Sequence, residues 1–176
     1  ILCMSQQKNI DMLKETLISE FLYEAENTRK LLNAIPDSVL EWKPSEKNWT
    51  TAQLASHIAG IYNWYGPVVN LDVFNLDNYR YDRGDLSKAA NIVAKFEENL
   101  VVAKKALESL DVSKIMDNWS MTKGGHEIIP PTPRAAIIRN VLFNHIYHHR
   151  GELIIYLRCN GKTPPGLYGP TAEGTR

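Results

Sequence analysis

Between Thr132 and about Cys159 apolar residues recur at helical spacing, and two histidines fall into the same line. Ile138, Leu142, Leu153 and Tyr156 mark the stripe, and His145 and His149, four apart, lie along it. Four residues is just over one helical turn, so the two rings stand one above the other on one face. His148 falls about a quarter of a turn away, at roughly 100° per residue, and reads as flanking and solvent-facing. An inward face that carries imidazoles must give them polar partners. Two imidazoles at this spacing can close on one metal ion, which then needs a further ligand from another element. A chain with this segment is therefore expected to pack helices around a shared polar centre.

Three further segments carry helical periodicity. The first runs roughly from Gln6 to Asn33, with Ile10, Leu13, Leu17, Phe21, Thr28, Leu31 and Leu32 near one stripe, and ends at Pro36-Asp37. The second opens on Thr50-x-x-Gln53, a capping box, and shows Leu54, Ile58, Ile61 and Tyr65 on its inner face before Gly66-Pro67 breaks or bends it. The third is expected to start after Ser87 as N-cap and to run to about Leu110 on Ile92, Phe96, Leu100, Ala103 and Leu107. The fourth has Thr132-Pro133 as N-cap and first helical residue, and Asn160-Gly161 closes it. Two long connections separate them. Val68 to Leu86 reads as irregular with at most a short helix, and Asp111 to Pro131 reads as non-helical with room for a hairpin. The fold class is all-α, a four-helix bundle, within a single domain over residues 1–176.

His57 offers the third ligand. It sits between Leu54, Ile58 and Ile61 on the inward face of the second helix, where a metal shared with His145 and His149 supplies the partner it needs. Taken alone, an inward histidine is more often a hydrogen-bonded core residue; three on facing helices argue for a metal. Three histidine ligands leave positions open for water or substrate, the pattern of catalytic sites. Glu20 and Glu24 lie near the first helix's stripe and are candidates to hold a ligand histidine from behind, against the plainer reading of solvated glutamates. Cys159 reads as a buried inert thiol and His126, in a Gly-rich loop, as a surface residue. No GxSxG elbow, phosphate loop, dinucleotide fingerprint or HExxH motif is present, and no catalytic acid or base can be named.

Composition narrows the partners. Lys plus Arg and Asp plus Glu number 20 each, so the formal net charge is zero. Such a chain has no general pull on nucleic acid or acidic membranes, and no basic recognition helix appears. No stretch is apolar enough to span a bilayer. The start, Ile1-Leu2-Cys3-Met4, does not read as a signal peptide, and Met4 is taken as the natural start. Cys3 and Cys159 make neither a metal spacing nor a disulfide framework, which suits a reduced, cytoplasmic protein.

The segment Asn144-His145-x-x-His148-His149-Arg150-Gly151-Glu152-Leu153, followed by Tyr156-Leu157-Arg158, Gly161, Pro164 and Tyr168-Gly169-Pro170, resembles the C-terminal signature of the DinB-like family, which includes the YfiT-like metal-dependent hydrolases and thiol S-transferases. Trp49-Thr50-x-x-x-Leu54-x-x-His57-Ile58 resembles that family's first metal motif. The resemblance covers nearly the whole chain. It implies a four-helix bundle with up-down-down-up connectivity and two long crossovers. It also implies His57, His145 and His149 as ligands of zinc, nickel or another divalent ion, and often a homodimer. Glu152 stands where the family usually has Gln, a change not expected to disturb the ligands. The resemblance implies an S-transferase acting on a small molecule with a low-molecular-weight thiol such as bacillithiol or mycothiol. The alternatives are a metal-dependent hydrolase and a non-catalytic, DNA-damage-inducible metal-binding protein.

Overall fold

A computed structural model of the chain describes residues 2–172, with side chains described at Lys8 and from Asp11 onward. In chain order the elements are α1 (Leu2–Asn33), α2 (Thr51–Ile61), α3 (Tyr65–Asn70), β1 (Val73–Asn75), α4 (Ala89–Ser109), β2 (Asn118–Lys123), β3 (His126–Pro133) and α5 (Arg134–Ala136). A π-helical segment (Ile137–Phe143) then leads into α6 (Asn144–Cys159). The expected four helices are α1, α2, α4 and the composite run through α6; a small three-stranded sheet is added to them. Among the described residues no helix is long and apolar enough to cross a membrane.

The second helix sits at the centre. Thr50 Oγ1 accepts from the Gln53 backbone N–H, and Gln53 Oε1 accepts from the Thr50 N–H at 3.0 Å, so two orphan donors are satisfied reciprocally. Nine residues of α2 are buried; only Gln53 and His57, four apart on one face, are not. Ile92, Phe96, Leu100, Ala103 and Leu107 of α4 and Phe21, Thr28, Leu31 and Leu32 of α1 are buried as their periodicity predicts. Leu13 departs from its stripe at 50% exposure: with Leu17 it edges an open apolar groove against Leu110, Ile115 and Met116. Ile10 and the Ile1–Met4 start lie outside the described side chains.

Helix boundaries differ from the local signals where distant groups take over. Ser87 does not cap α4; its backbone N–H and hydroxyl bind Asp85, and the cap position is Lys88. The Ala89 N–H instead donates to Asp37 Oδ1 at 2.8 Å, so a carboxylate from the turn after α1 satisfies the positive end of the helix. Gly66-Pro67 does not end the second helical run. The chain passes through a tight turn at Tyr62–Trp64 and continues as α3, whose first turn tolerates the missing N–H of Pro67.

The hairpin foreseen as an option is formed. Gly124 and Gly125 sit at φ of 57° and 77°, as a two-residue turn between twisted strands requires. β3 is an edge strand in the order β1-β2-β3, which is where Pro130, Pro131 and Pro133 can be accommodated. It extends through Pro133, so the following helix starts at Arg134 rather than after a Thr132 cap. β1 pairs parallel to β2, so the stretch before α4 is not wholly irregular. Buried Arg134 donates from Nε to the Val68 carbonyl at 3.1 Å and from Nη2 to that of Leu71 at 2.8 Å, and pairs with Asp72. Trp119 Nε1 donates to the Pro67 carbonyl at 3.2 Å. The sheet thereby ties the end of α3 to the start of the last helix.

Candidate metal centre

The last helix reaches the centre with a shifted face. Ile138, Leu142, Ile146 and Arg150 are buried in steps of four, more than the 3.6 residues of an α-helical turn, and the wide turns of the π segment absorb part of the excess. His145 and His149 therefore flank the buried line rather than lying in it. Both are partly exposed, as is His57 across on α2. The three residues can each offer a ring nitrogen to a group whose members lie within 4.8 Å of one another. Ring centroids are 4.9 Å apart for His57 and His145, 4.7 Å for His57 and His149, and 4.6 Å for His145 and His149.

These residues fit a divalent ion. His57 Nε2 and His145 Nε2 are 3.1 Å apart. Two nitrogens each about 2.0–2.1 Å from a tetrahedral ion stand roughly 3.3 Å apart. A plain N–H···N hydrogen bond also suits that separation, but it joins two rings, and here three converge. Burial, then the neighbouring His149 and His145, holds His57 down to about 4; burial, then His149 and His148, holds His145 down to about 4. Both rings are neutral at pH 7 and keep a lone pair for an ion. The Trp49 ring lies tilted at 4.8 Å from His57 and 6.0 Å from His149, and Trp64 lies 6.0 Å from His145, so indoles frame the group. Arg83 is close enough to disfavour protonation of His57 as well.

Behind His149 stands a residue that spacing alone had not singled out. His149 Nδ1 lies 2.6 Å from Glu152 Oε2, one turn along α6, while Glu152 Oε1 is 3.4 Å from His148 Nε2. Glu20 and Glu24 do not have this role. Glu20 pairs with Arg139 and accepts from Tyr147, and Glu24 is buried at 6% exposure against Arg150 and Tyr168 rather than solvated. His148 faces solvent, as its position off the stripe predicts. His148, His149 and Glu152 also come within 4.8 Å of one another, but His149 offers Nδ1 to Glu152 there, so this group is the hydrogen-bonded back of the first. His126 is exposed, though as the first residue of β3 rather than in the loop. Cys159 is exposed, not buried, because α6 runs past the core at its last residue.

The neutral rings give the metal-free protein a pH signature. In the unfolded chain an imidazole takes its proton near pH 6.5; in the folded protein His57 and His145 do so only near pH 4. Above pH 7 both states are neutral and nothing is lost. As pH falls from about 6.5 toward 4 the unfolded state binds more protons, so folding stability drops across that window. Thermal melts of chelator-treated protein between pH 7.5 and 4.5 are expected to fall more steeply than those of a His57→Gln/His145→Gln variant. Parallel slopes would contradict the neutral-pair assignment.

The comparisons with known proteins agree with this architecture. The chain is similar to the uncharacterized protein YrdA of Bacillus subtilis (strain 168), 26% identical over 152 residues, 86% of this chain and 85% of that protein. It is also similar to the uncharacterized protein YjoA of the same strain, 24% identical over 153 residues, 86% of this chain and 94% of that one. Two crystal structures share the fold. One is a DinB-like protein from Bacillus cereus ATCC 10987, with a TM-score of 0.68 at 22% identity over 88% of this chain and 97% of that one. The other is the DinB-like protein YjoA from Bacillus subtilis, with a TM-score of 0.69 at 18% identity over 86% and 97%. The family model described as DinB family matches residues 4–175. On that match, which spans nearly the whole sequence, the chain belongs to the DinB family.

Proposed function

We propose that the chain is a metal-dependent S-transferase in which His57, His145 and His149 hold one divalent ion, zinc or nickel, and a low-molecular-weight thiol is joined to an electrophilic carbon. The observation that carries this reading is the convergence of three partly exposed imidazoles on one point. Three ligands leave coordination positions open, and the partial exposure of all three leaves a way in. His57, His145 and His149 would hold the ion, which would supply Lewis acidity that lowers the pKa of a thiol brought to it. The S–C bond forms as the bond from carbon to the leaving group breaks; the leaving group takes the electron pair and the thiol proton passes to solvent. Trp49 and Trp64 give the centre an apolar frame, and Arg83 adds positive charge near His57 that suits a carboxylate-bearing thiol.

Hydrolysis by a bound water needs a general base on the open side of the centre. The carboxylate nearest the ligands, Glu152, is engaged with His149 Nδ1, on the opposite side of that ring from Nε2. The geometry therefore favours transfer. Zinc- or nickel-loaded protein mixed with several small thiols and an activated aryl halide is expected to form thioether faster than chelated protein and faster than the His145→Ala variant. Thioether formation at the metal-free rate with every thiol overturns the reading, and ester cleavage in its place supports the hydrolase alternative.

A further inference from the structure

We infer that Glu152 is the positioning residue of the centre: its carboxylate holds His149 as the Nδ1–H tautomer, so that Nε2 presents its lone pair to the ion. This rests on the three-histidine reading above and deepens it. A neutral imidazole carries one proton, on either nitrogen, and a ligand must keep the facing nitrogen bare. His57 and His145 both lie beside His149, with ring centroids 4.7 and 4.6 Å from its own. Without a fixed acceptor, His149 is free to place its proton on Nε2, where it would close the site.

Glu152 removes that choice. A carboxylate only accepts, so the 2.6 Å contact with His149 Nδ1 requires the proton to sit on Nδ1. The spacing of three residues on one helix makes this contact intrinsic to α6, independent of loop positions. His149 itself is held tightly, with its side chain 12% exposed, whereas Glu152 is 42% exposed and contributes little to the core. Its second oxygen reaches His148 at only 3.4 Å, and His148 is 65% exposed, so that contact adds little orientation. An acceptor behind a ligand histidine raises the basicity of the facing nitrogen as well as fixing the ring.

Substitutions separate orientation from packing. Glu152→Gln keeps a carbonyl acceptor and loses the charge; Glu152→Ala loses both; His148→Ala removes the exposed neighbour. The readouts are Co(II) affinity, from competition titration with its visible absorption, and the tautomer of His149 in metal-free protein, from nitrogen-15 NMR. Glu152→Ala is expected to weaken Co(II) binding about 10–100-fold, the range for loss of a partner behind a metal ligand, and to raise the Nε2–H form of His149. Glu152→Gln is expected to fall between wild type and Glu152→Ala, and His148→Ala to stay within about twofold of wild type on the same grounds. Equal Co(II) affinity and an unchanged tautomer in Glu152→Ala overturn the inference, as does a Gln variant no better than Ala. If wild type itself binds no Co(II), the three-histidine reading fails, and the tautomer comparison between wild type and Glu152→Ala still decides what Glu152 does.

Discussion

His145→Ala protein is expected to fold and to lose its divalent ion. A four-ligand zinc site is worth about 10–16 kcal/mol, so one ligand's share is about 3 kcal/mol and its loss weakens binding at least about a hundredfold. His57→Ala and His149→Ala are expected to behave alike, since the three rings are mutually adjacent and none is peripheral. His148→Ala is the matched control: it is a histidine on the same helix, exposed and outside the convergent group. The fold survives because the buried line of the last helix runs through Ile138, Leu142, Ile146, Leu153 and Leu157, not through the histidines. The measurements are metal content of untagged protein and the rise in Tm when zinc is added, which follows from binding to the folded state alone. That rise is expected in wild type and His148→Ala and absent in the other three. One metal ion per chain in all four variants would mean that the ion, if bound, is held elsewhere.

Why the convergence of these three residues was legible in advance, while the Glu152 contact was not, follows from the range of the interactions. His145 and His149 share a helix, and a helix converts spacing directly into geometry. His57 was legible because Leu54, Ile58 and Ile61 surround it with apolar neighbours. The structure refines both: all three rings lie at the edge of the buried faces, where a ligand can reach them. Glu152 is also local, three residues from His149, yet any exposed helix face shows such pairs, and nothing in the spacing distinguishes this one until the 2.6 Å contact is seen. Long-range pairings were out of reach. Asp37 caps a helix that starts 52 residues later, Phe74 pairs with Met121 across the parallel strands, and Glu24 meets Arg150 across 126 residues. Each displaced a sound local expectation: Ser87 as cap, an irregular connection before α4, and a solvated Glu24. The π segment had no signature in composition at all, although it sets the face on which His145 arrives.

The Glu24–Arg150 pair leads to the largest expected effect on stability. Arg150 is 1% exposed on α6, directly after His149, and its Nη1 donates to the Glu24 carbonyl at 2.9 Å and to Thr28 Oγ1 at 3.3 Å. Its Nη2 pairs with the Glu24 carboxylate and meets the Tyr168 hydroxyl, which itself donates to Glu24 Oε2 at 2.7 Å. Tyr147 and Tyr168 also place their rings 5.2 and 5.7 Å from the guanidinium. One cation thus joins α1, α6 and the segment after α6. Arg150→Ala strands the Glu24 carboxylate inside and is expected to cost about 3–5 kcal/mol, lowering Tm by roughly 10 °C for a chain of this size. Tyr168→Phe removes one hydrogen bond to a charged group and is expected to cost about 1.5–3 kcal/mol. Replacing both charges, Glu24→Leu with Arg150→Met, is expected to recover most of the loss, because a well-packed apolar pair often equals a buried ion pair. That recovery is the informative result: a double variant as unstable as Arg150→Ala would show that the hydrogen bonds to the Glu24 carbonyl and Thr28, not the stranded charge, are what Arg150 supplies.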